Sequence, residues 1–375
     1  MRRPKEVRVQ LVHVPDEDHG ISWYGDRLAA FLSTSDRVAV LPARAGRGAL
    51  SVFTEVWCWL KADVVHVQWS SAYWGETWSA VLRAATLAVV ARFRPVVLTM
   101  HDVHHEPAEP STGEPATSSM TLSMVSAPAR PRARRTQPRV LAQAIATRAT
   151  TEVLVFSPEE QVKVAAKHAR ATTVLPLFVE EYEAPIERPD EDRLVVFGYI
   201  HPRKGQLLAV EALPLLPGAR LTLCGAATPA HAAYLEQIHI RAAQLGVSDR
   251  LDVTGFVEED ELTRVLARTR VAVCPYKRIA ASGSISSLVS RGVPIVAHST
   301  AFTRRLHDRA PRGVTLFSPW VAEELAAAVR GAIDDDLEDQ RAQLQSLADA
   351  FSPAATRSRH ESVYLRLAGV TEMPK

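Results

Sequence analysis

The apolar positions of the chain fall into two alternating rhythms. Short runs read as strands: residues 7–14, 37–41, 63–68 and 95–100. Between them Tyr24, Leu28, Phe31 and Leu32 recur at helical spacing, and residues 52–60 and 76–93 repeat that spacing. Order resumes later with a helix at 140–147 and a strand at 151–156. Ser157-Pro158-Glu159-Glu160 has the form of a helix start, a capping serine followed by proline and acids. A strand at 173–177 then leads into residues 180–192, which are acidic and carry Pro185 and Pro189, the best linker candidate in the chain. The alternation predicts a doubly wound domain on a parallel sheet.

The second half repeats the architecture without repeating the sequence. Strands are expected at 194–200, 220–224, 251–254, 271–274, 293–297 and 314–317. Helices are expected at 205–216, 229–246, 258–268, from Ser282 to Arg291, and through 321–367 with Pro353 as a break. The expected division is 1–185, 190–352 and a last helix, 353–375, crossing back to the first domain. Periodicity disappears between about 106 and 138, where Pro, Ser, Thr, Ala and Glu dominate, and this stretch reads as a mobile insertion.

Three strand ends in the second half carry the candidate chemistry. Val195 to Ile200 stops at His201-Pro202-Arg203-Lys204-Gly205; the strand before Gly255 stops at Gly255-Phe256-Val257; Cys274-Pro275-Tyr276 leads to Ser282-Gly283-Ser284-Ile285. In open parallel sheets ligands bind at the carboxyl ends of strands, and helix N-termini there favour anions. Arg203 and Lys204 add positive charge beside one such loop, and Ser282, Gly283 and Ser284 allow close approach of a phosphate.

Composition narrows the classes. The 375 residues suffice for two domains. Lys and Arg number 44 against 42 Asp and Glu, a net +2 that gives no signal for nucleic acid. No apolar segment follows the basic start at Arg2, Arg3 and Lys5, so no signal peptide is expected, and the run at 84–91 is too short to span a bilayer. The 3 cysteines, Cys58, Cys224 and Cys274, lie in apolar runs without metal or disulfide spacing and read as small core residues in a reducing compartment. No GxGxxG follows the first strand and no GxSxG elbow occurs, which argues against a dinucleotide oxidoreductase and a serine hydrolase. His101, Asp102, His104 and His105 are loop neighbours with poor geometry for zinc, and no metal is expected.

The ordered set FGYI-x3-KG, LTLCG, VTGFVEEDEL, VAVCPY and SGSISSLVSRGVPIVA resembles the C-terminal half of family 4 (group 1) glycosyltransferases, most closely over 190–300. The resemblance implies the GT-B fold, an α/β architecture of two doubly wound Rossmann-like domains facing a cleft. It implies transfer of a sugar, with retention, from a UDP- or GDP-sugar to a small-molecule or glycan acceptor, without cofactor or metal, in the cytoplasm. It leaves room for peripheral contact with a membrane. Lys204 then becomes the cation that neutralises the leaving diphosphate, with Arg203 as the source of the guanidinium that Tyr199 lacks at the family's arginine position. Gly205, the Ser282-Gly283-Ser284-Ile285 loop, and Gly20 beside His19 and Ser22 become diphosphate contacts. Gly225, Phe256 and Val257 stand where the family holds the base; Phe256 is otherwise an ordinary apolar residue after a turn. His101, in Thr99-Met100-His101-Asp102, matches the histidine that orients the donor sugar.

The chain departs from the family pattern in three places. Tyr199 stands where an arginine is common, and Ile279 and Ser287 stand where the usual glutamate pair would be. These departures motivate an alternative: a non-catalytic relative that binds a nucleotide sugar or a partner glycosyltransferase. A sugar-nucleotide epimerase would want acidic and histidine groups that the sequence does not place.

Overall fold

A computed structural model describes residues 6–13, 20–44, 51–69, 78–101, 138–168, 171–183, 189–279 and 281–370. The chain divides into two compact units. Unit 1 comprises residues 1–155, 160–173 and 363–375, and unit 2 comprises 156–159 and 174–362. Most of the expected insertion, together with Asp102, His104, His105 and His19, lies outside the described residues; Pro138 opens a helix.

Unit 1 is built on a six-stranded sheet, β1 (Val7–His13), β2 (Val38–Arg44), β3 (Val64–Trp69), β4 (Val96–Met100), β5 (Glu152–Val155) and β6 (Ala171–Val174), in the order β2-β1-β3-β4-β5-β6. Every residue of β3, β4 and β5 is buried. That is the mark of a parallel sheet covered on both faces, and it explains why these strands read as mostly apolar runs. Helices α1 (Gly20–Ser33), α2 (Ser51–Lys61), α3 (Trp78–Val90), α4 (Pro138–Ala149) and α5 (Pro158–His168) alternate with the strands.

Unit 2 carries β7 (Asp190–Phe197), β8 (Arg220–Cys224), β9 (Leu251–Gly255), β10 (Thr269–Cys274), β11 (Ile295–His298) and β12 (Val314–Phe317), in the order β12-β11-β10-β7-β8-β9. Counted from β7, this is the 3-2-1-4-5-6 order of a dinucleotide-binding sheet, whose direction of winding reverses between β7 and β10. Alternation along the strands feeds two cores. Leu194, Val196, Val271 and Val273 enter one face, and Val195, Ala272 and Cys274 the other. Helices α6 (Gln206–Ala212), α7 (Ala232–Gln244), α8 (Glu259–Ala267), α9 (Gly283–Ser290), α10 (Ala301–His307), α11 (Ala322–Asp334) and α12 (Leu337–Ala350) follow, and α13 (Pro353–Leu367) closes the chain. No helix among the described residues is long and apolar enough to cross a membrane.

Several local expectations are corrected. β7 begins at Asp190, inside the stretch read as linker, where Asp190 pairs with Arg193 at 2.5 Å and Arg268 at 2.8 Å. The helix expected over 205–216 ends at Ala212 and tightens into a 3-10 turn, Leu213–Leu215. α10 was not anticipated; it is held by Thr300 and Thr303, which cap each other reciprocally. Cys58 is exposed, while Cys224 and Cys274 are buried as expected.

Candidate functional site

The reversal point of the second sheet gathers three separate loops. β7 ends at Phe197, and Gly198 follows with φ +112°. The chain then makes a 3-10 turn, Pro202–Lys204, with proline at its first position and the His201 ring as its cap, Nδ1 accepting from the Arg203 amide at 3.0 Å. Gly205, at φ +73°, ends this turn and starts α6. A Cβ on Gly205 would lie 2.6 Å from the Pro275 carbonyl oxygen, so glycine lets this loop pack against the exit of β10. Trp320 holds that exit from another side, its Nε1 donating to Pro275 O at 2.8 Å.

Lys204 folds back under Gly198. Its Nζ donates to Ser284 Oγ at 2.9 Å, to Phe197 O at 3.2 Å and to Tyr276 Oη at 3.4 Å, and lies 4.9 Å from the Tyr276 ring centroid. Tyr276 is buried, and its hydroxyl donates to Phe197 O at 3.3 Å. Ser284 sits in the first turn of α9. Ser282 caps that helix, its Oγ accepting from the Ile285 amide at 3.2 Å, while the Ser286 amide donates to Ser282 O at 3.0 Å. Gly283 and Ser284 are left as the first-turn amides that have no intrahelical acceptor, the usual donors for an anion at a helix N-terminus.

The charge balance is the decisive feature. All three acceptors around the Lys204 ammonium are neutral, and among the described residues no carboxylate pairs with it. Burial pushes its pKa down to about 8, and nearby Arg203 pushes the same way. A desolvated cation without a counter-ion, beside the positive end of a helix, is a site whose charge an anionic ligand completes. The His201 pKa is also lowered, first by burial and then by His231, Arg203 and Lys204, so its ring is held in the neutral form beside these cations.

Gly198 is what allows the convergence. A Cβ there would stand 2.3 Å from Lys204 Nζ and 2.7 Å from Ser284 Oγ. Gly198→Ala is therefore expected to displace the ammonium and to weaken binding of a diphosphate-type anion such as pyrophosphate about tenfold or more. The lysine tip can move aside, so the fold should suffer mainly from the positive φ. Calorimetric titration beside a thermal melt would check both parts.

The other sequence candidates are distributed as follows. Arg203 is exposed, next to Lys204. Gly225 and Gly255, at the ends of β8 and β9, form a bridge with each other, and Gly225 abuts the Gly198 carbonyl. Phe256 follows Gly255 and is 70% exposed, and Val257 is half-buried. Ile279 packs against the second core, and the Ser287 carbonyl accepts from Ser290 and Arg291. In unit 1, Gly20 is the first residue of α1, and His101 follows β4, where its Nε2 meets Gln68 Oε1 at 2.8 Å. Tyr276 was not anticipated. A tyrosine at a strand end looks like any core aromatic, and only the strand order brings it to Lys204. Gln68 and His66 were also missed, although two polar residues at alternating positions in an otherwise apolar strand were a readable signal.

Two six-stranded parallel sheets, each flanked by helices, define the GT-B fold, and comparison with solved structures agrees. HepE from Anabaena, in a complex with UDP, is similar with a TM-score of 0.67 at 18% identity, over 95% of this chain and 99% of that one. Sucrose-phosphate synthase from Thermosynechococcus elongatus is similar with a TM-score of 0.67 at 16% identity, over 98% and 100%. The lipopolysaccharide outer core galactosyltransferase WaaB is similar with a TM-score of 0.62 at 10% identity, over 96% and 99%. Residues 191–335 match the family model described as Glycosyl transferases group 1, which places the family resemblance on unit 2, around the Lys204 site. No curated protein matches the sequence.

Proposed function

We propose that this chain is a retaining, hexosyl-type glycosyltransferase that moves a sugar from a UDP- or GDP-sugar to an acceptor, without a metal ion. The observation that carries the reading is the half-buried Lys204, whose desolvated ammonium meets only neutral acceptors and is hydrogen-bonded to the first turn of α9. Breaking a sugar–diphosphate bond leaves negative charge on the departing diphosphate. Stabilising such developing charge with preorganised donors is commonly the largest catalytic contribution. Lys204 and the amides of Gly283 and Ser284 are three such donors in one place. The base then lies toward Gly225, Phe256 and Val257, at the neighbouring strand ends. HepE, which has been solved with UDP and with UDP-glucose, supports a uridine nucleotide as the first donor to try.

Ile279 and Ser287 favour a second reading, a relative that binds the nucleotide sugar, or a partner glycosyltransferase, without turning it over. One screen separates the two. The protein is incubated with a panel of UDP- and GDP-sugars, and melting temperature and released nucleoside diphosphate are followed together. The transferase reading expects at least one donor both to stabilise the fold and to be consumed, by transfer or slow hydrolysis. Stabilisation without consumption under any acceptor supports the nucleotide-sugar-binding relative, and no response to any member overturns both the transferase and the nucleotide-sugar-binding readings, leaving only a relative that binds a partner glycosyltransferase.

A further inference from the structure

We propose that Gln68 is a positioning residue that holds His101 in one tautomer and one ring orientation, through a buried polar chain anchored at Tyr364. The inference rests on the reading that His101 meets the donor sugar.

His66 and Gln68 lie two apart on β3 and so share a face of the sheet; the register that pairs Gln68 with Thr99 puts Thr99 on that face too. His66 and Gln68 are wholly inaccessible and Thr99 nearly so, among Val64, Val65, Val67, Val97 and Leu98. Polar groups at such depth destabilise a core unless they are hydrogen-bonded. Here they bond in series. His101 Nε2 meets Gln68 Oε1 at 2.8 Å, Gln68 Nε2 meets His66 Nε2 at 3.3 Å, Thr99 Oγ1 meets His66 Nε2 at 2.7 Å, and His66 Nδ1 meets Tyr364 Oη at 2.7 Å.

Chemistry assigns the protons along this chain. An amide oxygen only accepts, so His101 Nε2 carries the hydrogen and donates to Gln68. An amide nitrogen only donates, so His66 Nε2 is an acceptor, its single lone pair shared between the Thr99 hydroxyl at 2.7 Å and the more distant Gln68 amide at 3.3 Å. The hydrogen of neutral His66 is then on Nδ1, which donates to Tyr364. From another side the Tyr24 ring meets His101 edge-on, with centroids 5.3 Å apart and planes at 76°. Neutral His101 therefore keeps its lone pair on Nδ1, so that atom acts only as an acceptor. Tyr364 brings the last helix into this arrangement, far along the sequence from the strands it steadies.

The test uses the full chain, labelled with 15N-histidine, beside steady-state kinetics with whichever nucleotide sugar the panel identifies. Wild-type His101 is expected to show the Nε2–H tautomer. Gln68→Leu removes the acceptor and should give mixed tautomers, with kcat lower by about 10- to 100-fold and KM moved far less. Gln68→Glu keeps an acceptor in place. It should hold the Nε2–H form, recover most of kcat, and move the pH profile upward, because a carboxylate favours the imidazolium. An Nδ1–H tautomer in the wild type overturns the proposal. So does a folded Gln68→Leu protein with unchanged tautomer and unchanged kcat. If no nucleotide sugar is consumed by the wild type, the activity reading fails by itself, and the tautomer spectra alone then decide on Gln68.

Discussion

Lys204→Met is expected to lower turnover of a nucleotide-sugar donor by about a hundred- to a thousandfold, roughly 3–4 kcal/mol of transition-state stabilisation. The same variant is expected to melt higher than wild type at neutral pH. Burial lowers the Lys204 pKa to about 8, whereas an unfolded lysine titrates near about 10.4. Between those values the unfolded chain holds more protons, so wild-type stability should rise with pH there; below about 8 the full penalty for burying the charge is present. Methionine fills the same space without that penalty and should add about 1–2 kcal/mol to the unfolding free energy at pH 7. The gain should shrink as pH climbs from about 8 toward 10. Denaturant melts at several pH values, run beside the activity assay, would check the pair of effects. A variant that loses activity only because it has unfolded would contradict this assignment.

Gly225→Ala should be the most damaging single methyl group in unit 2. Gly225 has φ +152°, and an added Cβ would lie 2.3 Å from Gly198 O and 2.7 Å from Gly198 C. Both are backbone atoms, and neither can swing away as a lysine tip can. The Gly198 amide is bonded to Cys224 O at 2.9 Å and the Ile200 amide to Ala226 O at 2.9 Å, so the two strand exits are tied together on both sides of the clash. We expect a loss of about 3 kcal/mol, seen as a melting temperature lower by roughly 6–10 °C, together with loss of nucleotide binding. Gly246→Ala is the matched control. Gly246 also has positive φ, +66°, but open space where its Cβ would go, so only the backbone cost of about 1 kcal/mol should appear. Equal melting temperatures for the two variants would show that the packing of these two exits is not what holds the loop.

The strands could be read from the sequence because those at the centre of both sheets are buried on both faces, and their runs are mostly apolar, with few polar residues such as His66, Gln68 and Arg270. Their ends could be read because each run stops at glycine, hydroxyl or cationic residues. What could not be read depended on partners distant in the chain. The first residues of β7 are acidic and look like linker, and they are held as strand by β10 and by the Arg268 guanidinium. Arg270 interrupts β10 with a charge, yet it is buried. Its guanidinium donates to Ile333 O at 2.7 Å, Asp335 O at 2.9 Å and Gln340 Oε1 at 2.8 Å, closing the C-terminal end of α11. Cys58 looked like a core residue because its neighbours are apolar, but on α2 it is Trp59 that is buried. At the candidate site, Lys204 and Ser284 were legible as members of two separate anion-favouring loops. That they touch follows only from the placement of β10 beside β7, and the same adjacency supplies Tyr276.

The Lys204 ammonium is poised for the charge of a diphosphate. That is tested most directly by titrating UDP and GDP into the protein at pH 8 in two buffers of different ionisation enthalpy. Wild type should take up a fraction of a proton per nucleotide bound, because the anion raises the pKa of a lysine that burial has lowered to about 8. Lys204→Met should take up none and bind at least about tenfold more weakly. Equal affinity and an equal proton count in the two proteins would show that the nucleotide binds elsewhere.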